Sequence, residues 1–124
     1  MIDFANGSVF KLGQCSPQEV QGTLEPILLE GEEIFVATKA VRDFVVFTNK
    51  RIIAVNVQGM SGRKKDFTTL PYSKIQAFSI ETAGTFDLDA ELEMWFSGLG
   101  KVRLEFKGGF DIKYLNRLLA HYIL

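Results

Sequence analysis

Apolar residues occupy both faces of a predicted β-hairpin near the middle of this chain. Residues 44–59, FVVFTNKRIIAVNVQG, read as two strands joined by the polar residues 48–50. Consecutive valine, isoleucine and phenylalanine residues place apolar side chains on both faces of each strand, and such strands must be covered on both faces. In a domain of this size the core supplies one cover. We expect a second copy of the protein to supply the other.

The sequence before this hairpin predicts an arm followed by a helix. Residues 1–15 lack a clear period and are predicted to form an irregular arm with at most one short ordered piece. Ser16 and Pro17 suit the cap and the first position of a helix over 16–30. Pro26 removes a backbone donor, so it should kink or end that helix.

Strand signals recur about every ten residues between 33 and 107, the spacing expected of a sandwich or barrel. Seven strands are predicted, at 33–40, 43–48, 51–57, 65–70, 75–82, 90–97 and 101–107. Asp111 is the predicted cap of a final helix over 110–124. The buried stripe of that helix is predicted to consist of Leu115, Leu118, Leu119 and Tyr122. The predicted fold is one mainly β domain, 1–124, in which a bent antiparallel sheet is capped by the C-terminal helix and preceded by another.

The last two predicted strands alternate apolar and charged residues. The apolar positions are Leu92, Met94 and Phe96 on one strand and Val102, Leu104 and Phe106 on the other. A three-residue loop at 98–100 would pair Ser97 with Lys101 and Glu91 with Lys107. Such cross-strand charge pairs contribute roughly 0.2–1 kcal/mol each, which is enough to fix the register.

Composition is that of an ordinary folded domain and favours no particular ligand. The 124 residues are 47% hydrophobic and 23% charged, and a net charge of -1 offers no concentrated positive field for nucleic acid or an anionic membrane. The aromatic residues are mainly Phe (11, against Tyr 3 and Trp 1), which favours packing over stacking on bases or sugars. Cys15 is the single cysteine, and no secretory signal or membrane span is visible. We therefore expect a cytoplasmic protein without a disulfide within the chain.

A set of seven short motifs is more specific than any one of them alone. The motifs are Leu29-Glu-Gly-Glu-Glu33, Arg42-Asp43, Phe47-Thr-Asn-Lys-Arg-Ile52, Val57-Gln-Gly59, Pro71-Tyr72 with Ile75, Phe78-Ser-Ile-Glu-Thr-Ala-Gly84 and Asp87-Leu-Asp-Ala-Glu-Leu92. Together they resemble the bacterial pleckstrin-homology-like (PH-like) family, long catalogued as a domain of unknown function. The resemblance covers residues 16–124, and it implies the seven-stranded PH-like fold and association into ring-like homo-oligomers.

The resemblance implies little chemistry. In eukaryotic PH domains a basic cluster in the first strand-strand loop holds the phosphates of phosphoinositides. The corresponding loop here, residues 39–43, is short and is partly neutralised by Asp43. Membrane lipids are therefore not expected partners on the strength of the resemblance.

The basic run Arg63-Lys64-Lys65 is the candidate anion-binding site. A flexible basic loop can bind phosphate groups, and Lys50 and Arg51 would strengthen the site if the fold brought them close. No aromatic residue is interleaved in the run. The simpler interpretation is a solvated connection between two strands.

Two other groups of residues are weaker candidates for a metal or catalytic site. Four carboxylates recur at every second position, at Asp87, Asp89, Glu91 and Glu93. Calcium prefers a loop that wraps the ion, so a solvated face or pairing with basic neighbours is the better interpretation. Cys15 and His121 are single copies at opposite ends of the chain and cannot build a zinc site alone. Cys15 precedes a predicted helix cap, which would lower its pKa if the thiol were exposed.

The sequence predicts a non-enzymatic PH-like domain that associates with copies of itself and serves as a scaffold for another protein. The candidate interface residues are Val45, Phe47, Ile53, Val55 and Trp95. A cross-subunit sheet or an exchanged helix would cover the hairpin equally well, and Trp95 could instead pack against the N-terminal helix. The alternative function is lipid or phospho-ligand binding through residues 63–65. No catalytic residue, metal, cofactor or nucleic acid is predicted.

Overall fold

Eight strands and two α-helices form the described part of the chain, residues 1, 2, 4 and 11–124, in a computed structural model. In chain order they are β1 Lys11–Cys15, α1 Pro17–Leu24, β2 Ile34–Lys39, β3 Phe44–Thr48, β4 Arg51–Gln58, β5 Lys64–Pro71, β6 Ile75–Glu81, β7 Ala90–Phe96, β8 Gly100–Phe106 and α2 Ile112–Ile123. Short 3₁₀ turns follow α1 at Glu25–Ile27 and follow β5 at Tyr72–Lys74. The predicted order of helix, seven strands and helix is confirmed, with one further strand before the first helix.

The strands form one open sheet in the order β5-β4-β3-β2-β1-β8-β7-β6. Neighbouring strands are antiparallel except β1 and β8, which run parallel. The extra strand, β1, lies within the predicted irregular arm. Leu12 is the only fully buried residue of its five, so no apolar alternation marks this segment as a strand in the sequence.

The helix boundaries follow the predicted signals. The Glu19 carboxylate accepts a hydrogen bond from the Ser16 backbone N–H at 3.0 Å, and Pro17 occupies the first helical position of α1. The predicted span 16–30 is too long, because the helix ends at Leu24, before Pro26, and the chain continues as the 3₁₀ turn. At the start of α2 the Asp111 carboxylate accepts the Tyr114 backbone N–H at 3.0 Å.

Two apolar clusters pack on the two faces of the sheet. The larger cluster lies between the sheet and α2, and its most buried large side chains include Leu12, Phe47, Leu92, Phe106, Leu115 and Leu119. The smaller cluster lies between α1 and the β3–β4 hairpin and consists of Val20, Leu24, Ala37, Phe44, Val46, Ile53 and Val55. Each fully buried side chain of this kind contributes about 1.5–3 kcal/mol, so both clusters stabilise the domain substantially.

Helix α1 supplies the second cover that the hairpin requires. Val45 and Phe47 belong to the larger cluster, whereas Ile53 and Val55 belong to the cluster under α1. The expectation that a second copy covers this face is wrong, because the apolar stripe of the chain's own helix occupies it. The sequence pattern correctly predicted two covers and could not identify the source of the second.

Strands β7 and β8 pair two residues away from the predicted register. Trp95 lies opposite Lys101, where the prediction placed Ser97. Gly98 and Gly100 both adopt positive φ, which glycine does without strain, and the chain reverses at residues 97–99. A shift of two residues keeps each side chain on its predicted face, so the alternating apolar residues are buried as predicted.

Candidate functional site

Several loops leave the same end of the sheet. Lys39, the last residue of β2, pairs with Phe44 of β3, and β4 ends nearby where Gln58 pairs with Lys64. On the other side of β1, Ala90 begins β7 opposite Phe106, the last residue of β8. Because β1 pairs with the last residues of both β2 and β8, these strand ends lie at the same end of the sheet. We call this end the loop rim and define it as the loops 40–43, 59–63, 82–89 and 107–111 together with the adjoining strand residues 39, 64, 65 and 81.

The first two rim loops are held together by Arg42 and Asp43. The Arg42 guanidinium donates a hydrogen bond to the Gly59 carbonyl, which joins loop 40–43 to loop 59–63. The Asp43 carboxylate turns toward β4, where it accepts the Val57 backbone N–H at 2.8 Å and the Asn56 side-chain amide at 3.2 Å. The Arg42-Asp43 motif therefore fixes the relative position of the two loops.

The third rim loop, 82–89, is held by its own backbone and by the turn after β8. The Gly84 N–H donates to the Asp87 carbonyl at 2.7 Å, and the Asp87 carboxylate accepts the Asp89 N–H at 3.0 Å. Gly108 approaches Leu88 so closely that a Cβ atom there would lie 3.1 Å from the Leu88 Cβ. Phe86 lies between Gly84 and Asp87, the two residues that this backbone hydrogen bond joins, and its side chain is exposed.

The loop rim exposes large apolar side chains. Val41, Met60 and Phe86 are almost fully exposed, and Leu88 is 62% exposed. Apart from Met1 and Leu124, the first and last residues of the sequence, these four are the most exposed large apolar side chains in the described part of the chain. Exposed apolar residues that lie singly are common, whereas several at one end of a domain make that end the candidate interaction surface.

Positive charge is concentrated on one half of the rim. The predicted anion-binding residues Arg63, Lys64 and Lys65 are exposed there, and Lys65 donates to the Gly62 carbonyl at 2.9 Å. Lys39 and Arg42 are exposed on the same half. None of these five cations forms an ion pair with a described carboxylate. The sequence did not indicate that Arg42 lies against the loop before the basic run, because the fold brings its guanidinium to the Gly59 carbonyl. Lys39 lies at the same end of the sheet, on β2.

Lys50 and Arg51 do not join the basic run, because the β3–β4 turn lies at the opposite end of the sheet. There Arg51 forms an ion pair with Glu32, whose side chain is fully buried, at 3.0 Å. Glu32 also accepts hydrogen bonds from the Thr48 hydroxyl at 2.7 Å and the Leu29 N–H at 3.0 Å. Two of the motifs that carry the family resemblance, 29–33 and 47–52, therefore contact each other through one network.

The network perturbs the pKa of Glu32 strongly. Burial by itself raises the pKa of this carboxyl, but the hydrogen bonds from Arg51, Leu29 and Thr48 outweigh burial and lower the pKa from 4.5 to about 2. Nearby, the Tyr72 hydroxyl donates to the Thr48 carbonyl at 2.7 Å, and burial raises the pKa of Tyr72. Each of these polar groups has a partner, so the network accounts for stability and offers no reactive group.

The predicted interface residues fall into two classes. Val45, Phe47, Ile53 and Val55 are at most 1% exposed in the single chain, and they divide between the two faces of the hairpin. A second copy could reach them only if the chain opened. Trp95 is 37% exposed, lies on β7 beside Ala77 of β6 and Lys101 of β8, and belongs to neither apolar cluster.

The acidic row forms ion pairs with basic neighbours. Glu91 pairs with Arg103, Glu93 pairs with Lys101 at 3.0 Å, and Asp89 pairs with Lys11 at 3.1 Å. Asp87 lies in the rim loop before β7. Within residues 11–124 and the three described residues before them, no group of three or more His, Cys, Asp or Glu side chains is arranged to hold a metal ion.

Cys15 and His121 do not form a site together. Cys15 lies on β1 and His121 is exposed on α2, in edge contact with the Tyr122 ring. Burial and the nearby Glu19 carboxylate raise the pKa of the Cys15 thiol, so the lowering that a helix cap would give is not found. Among the described helices, none combines the length and the apolar character needed to cross a membrane.

The chain matches one protein family and two curated relatives over most of its length. The family model for the bacterial PH domain matches residues 3–123. The chain is 45% identical to Bacillus subtilis YjqA over 121 residues, covering 96% of this chain and 97% of that protein. It is 36% identical to Bacillus subtilis YozO over 100 residues, covering 81% and 86% of the two chains.

Solved structures of similar chains share this fold. A duf1696 family protein with a pleckstrin-homology domain from Shewanella loihica superposes with a TM-score of 0.79 at 37% identity, covering 93% of this chain and 99% of that one. A pleckstrin homology domain from Shewanella amazonensis gives a TM-score of 0.67 at 41% identity, covering 89% and 90% of the two chains. Both the predicted resemblance and the predicted fold class are confirmed.

Proposed function

The chain belongs to the bacterial PH domain family, and from that premise we propose that it is a non-catalytic binding domain that associates with copies of itself and presents the assembly to another protein. The observation that carries the proposal is the loop rim. Val41, Met60, Phe86 and Leu88 expose apolar surface at one end of the domain. Association that buries these side chains removes apolar area from water, at about 25 cal/mol for each Å².

The loop rim is a better candidate interface than the hairpin. Self-association through Ile53 or Val55 would require α1 to leave the hairpin, which exposes the cluster beneath it. Self-association through Val45 or Phe47 would require the larger cluster between the sheet and α2 to open. Association through the rim needs no such opening, because its apolar side chains are already exposed. The rim loops are also ordered by hydrogen bonds before any contact is made, which reduces the entropy lost on association.

The experiment compares the native mass of the wild type with that of Met60→Ser/Phe86→Ser. Light scattering after size-exclusion chromatography should give a multiple of 13.9 kDa for the wild type and a smaller mass for the double variant. The matched control is Leu29→Ser/Leu99→Ser, which removes two exposed leucines at the opposite end of the sheet. A monomeric wild type, or equal masses for both double variants, would overturn the proposal.

Trp95 remains a predicted interface residue. It is a single large apolar side chain on a face otherwise carrying the ion pairs of β7 and β8. Because it is the only tryptophan, its emission reports its own environment. Dilution from the assembled to the dissociated state should shift the emission to longer wavelength if Trp95 lies between copies. An unchanged emission wavelength would contradict the prediction that Trp95 lies between copies.

A second function, binding of an anionic lipid or phospho-ligand, is favoured by one observation. Arg63 belongs to the loop that carries the exposed Met60, Lys64 and Lys65 follow it, and the Arg42–Gly59 hydrogen bond joins this loop to the one that carries the exposed Val41. A surface of this kind can combine charge attraction with apolar burial. Co-sedimentation with vesicles rich in phosphatidylserine tests it. Binding by the wild type that is lost in Arg63→Ala/Lys64→Ala/Lys65→Ala supports the function, and equally negligible binding by both removes it.

A further inference from the structure

The loop rim carries opposite charge on its two halves. The basic half consists of loops 40–43 and 59–63 with the strand residues next to them. Its exposed cations are Lys39, Arg42, Arg63, Lys64 and Lys65. Asp43 is the carboxylate within that half, and it is engaged by β4. The acidic half is the loop 82–89 with the residue before it.

The acidic half presents two exposed carboxylates beside two exposed apolar side chains. Glu81 ends β6 and Asp87 lies in the loop, and neither pairs with a described cation. The Asp89 carboxylate forms an ion pair with the Lys11 ammonium at 3.1 Å. Lys107, in the turn after β8, lies near Gly13 between the two halves.

We propose, building on the self-association proposed above, that the basic half of the rim of one copy docks on the acidic loop 82–89 of a second copy. Val41 and Met60 of one copy would contact Phe86 and Leu88 of the other. Glu81 and Asp87 would face the cations at Arg63 and Lys64. Apolar contact supplies the driving force, and charge complementarity selects which halves meet.

This arrangement commits the acidic loop to a second copy of the chain. An anionic membrane is attracted to the basic half, but it repels Glu81 and Asp87 and therefore leaves Phe86 without a role. A second copy satisfies both halves at once. Like charges meet when equivalent halves face each other, so the pairing of unlike halves is favoured.

Charge reversal tests the pairing. Arg63→Glu/Lys64→Glu cancels the net positive charge of the basic half, and Glu81→Lys/Thr85→Lys cancels the net negative charge of the acidic half. Asp87 is left in place because its carboxylate holds the Asp89 N–H, and Lys65 is left because it holds the Gly62 carbonyl. Lys50→Glu/Lys74→Glu is the matched control, since both exposed lysines lie at the opposite end of the sheet. Circular dichroism with thermal melting verifies that each variant folds.

We expect wild type and control to have the same native mass, and each rim variant alone to weaken association by at least about tenfold. Mixing the two rim variants, one of them isotope-labelled, should restore assembly in native mass spectrometry as species that contain both. A rim variant that keeps the wild-type mass, or a mixture that yields no species with both chains, overturns the inference while leaving self-association in place. Monomeric wild type overturns self-association itself. A variant that loses only binding to phosphatidylserine vesicles, with its mass unchanged, assigns the basic half to lipid and overturns the inference.

Discussion

Replacing Glu32 with glutamine removes the central charge of the network that joins the 29–33 turn to the β3–β4 hairpin. Glutamine has nearly the same shape, but it no longer balances the Arg51 guanidinium, whose side chain is only 17% exposed. Removing one member of a buried, hydrogen-bonded ion pair leaves the other without compensation, which commonly costs about 3–5 kcal/mol. The domain as a whole is expected to be stable by only about 5–15 kcal/mol.

The pKa of Glu32 gives an independent magnitude and a sign. Its folded-state pKa of about 2 lies below the ordinary value of 4.5, so the folded chain holds the charged form more tightly than the unfolded chain does. Each pKa unit corresponds to about 1.4 kcal/mol, so the difference between 4.5 and about 2 stabilises the folded chain by about 3 kcal/mol. It is fully present above pH 4.5, decreases as the pH falls, and is lost at about pH 2.

Urea unfolding followed by far-ultraviolet circular dichroism at a fixed protein concentration measures this effect. Near neutral pH we expect Glu32→Gln to lower the free energy of unfolding by about 3 kcal/mol and the melting temperature by about 10 °C. The difference from wild type should fall to about half at about pH 3. Glu33→Gln, at an exposed neighbour, is the control. A loss below about 1 kcal/mol near neutral pH, or a difference that does not change with pH, would refute the reasoning.

Three further perturbations test separate parts of the structure. Leu24→Ala leaves a cavity beneath α1 and should lower the free energy of unfolding in urea by about 2–5 kcal/mol. Leu29→Ala, at an exposed leucine, should lower it by under about 1 kcal/mol. Phe47→Asp should leave the chain unfolded by circular dichroism rather than folded and dissociated, because Phe47 is fully buried; a folded monomer would contradict this. Cys15 should react with a thiol reagent more slowly than a free cysteine at the same pH, since its pKa is raised, and faster reaction would contradict that direction.

Local pattern was sufficient for most of the fold. Alternation over residues 90–107 identified both strands and their buried face, since this information lies within each strand. The cap signals at Ser16, Pro17 and Asp111 placed both helix starts for the same reason. The predicted register of the last hairpin was wrong by two residues. Register depends on the turn, in which both Gly98 and Gly100 take positive φ, and apolar alternation is unchanged by a shift of two residues.

The predictions that were wrong or incomplete concern features that depend on contacts between distant segments of the chain. Strand β1 exists because it pairs with β2 and β8, and its own five residues carry no apolar alternation. The hairpin pattern indicated two covers, but only tertiary structure shows that α1 is the second. The candidate site was predicted only as the run 63–65. Lys39, Arg42 and the acidic loop lie at the same end of the sheet as this run because of the strand pairing, which no local pattern encodes.

The native mass of the wild-type chain in solution tests the proposed self-association most directly. Light scattering across a range of concentrations should give a closed assembly with a mass that is a whole multiple of 13.9 kDa. Raising the salt from about 0.05 M to about 0.5 M should weaken that assembly, because charge pairing between rim halves is screened. A mass of 13.9 kDa at every concentration would contradict the proposed function.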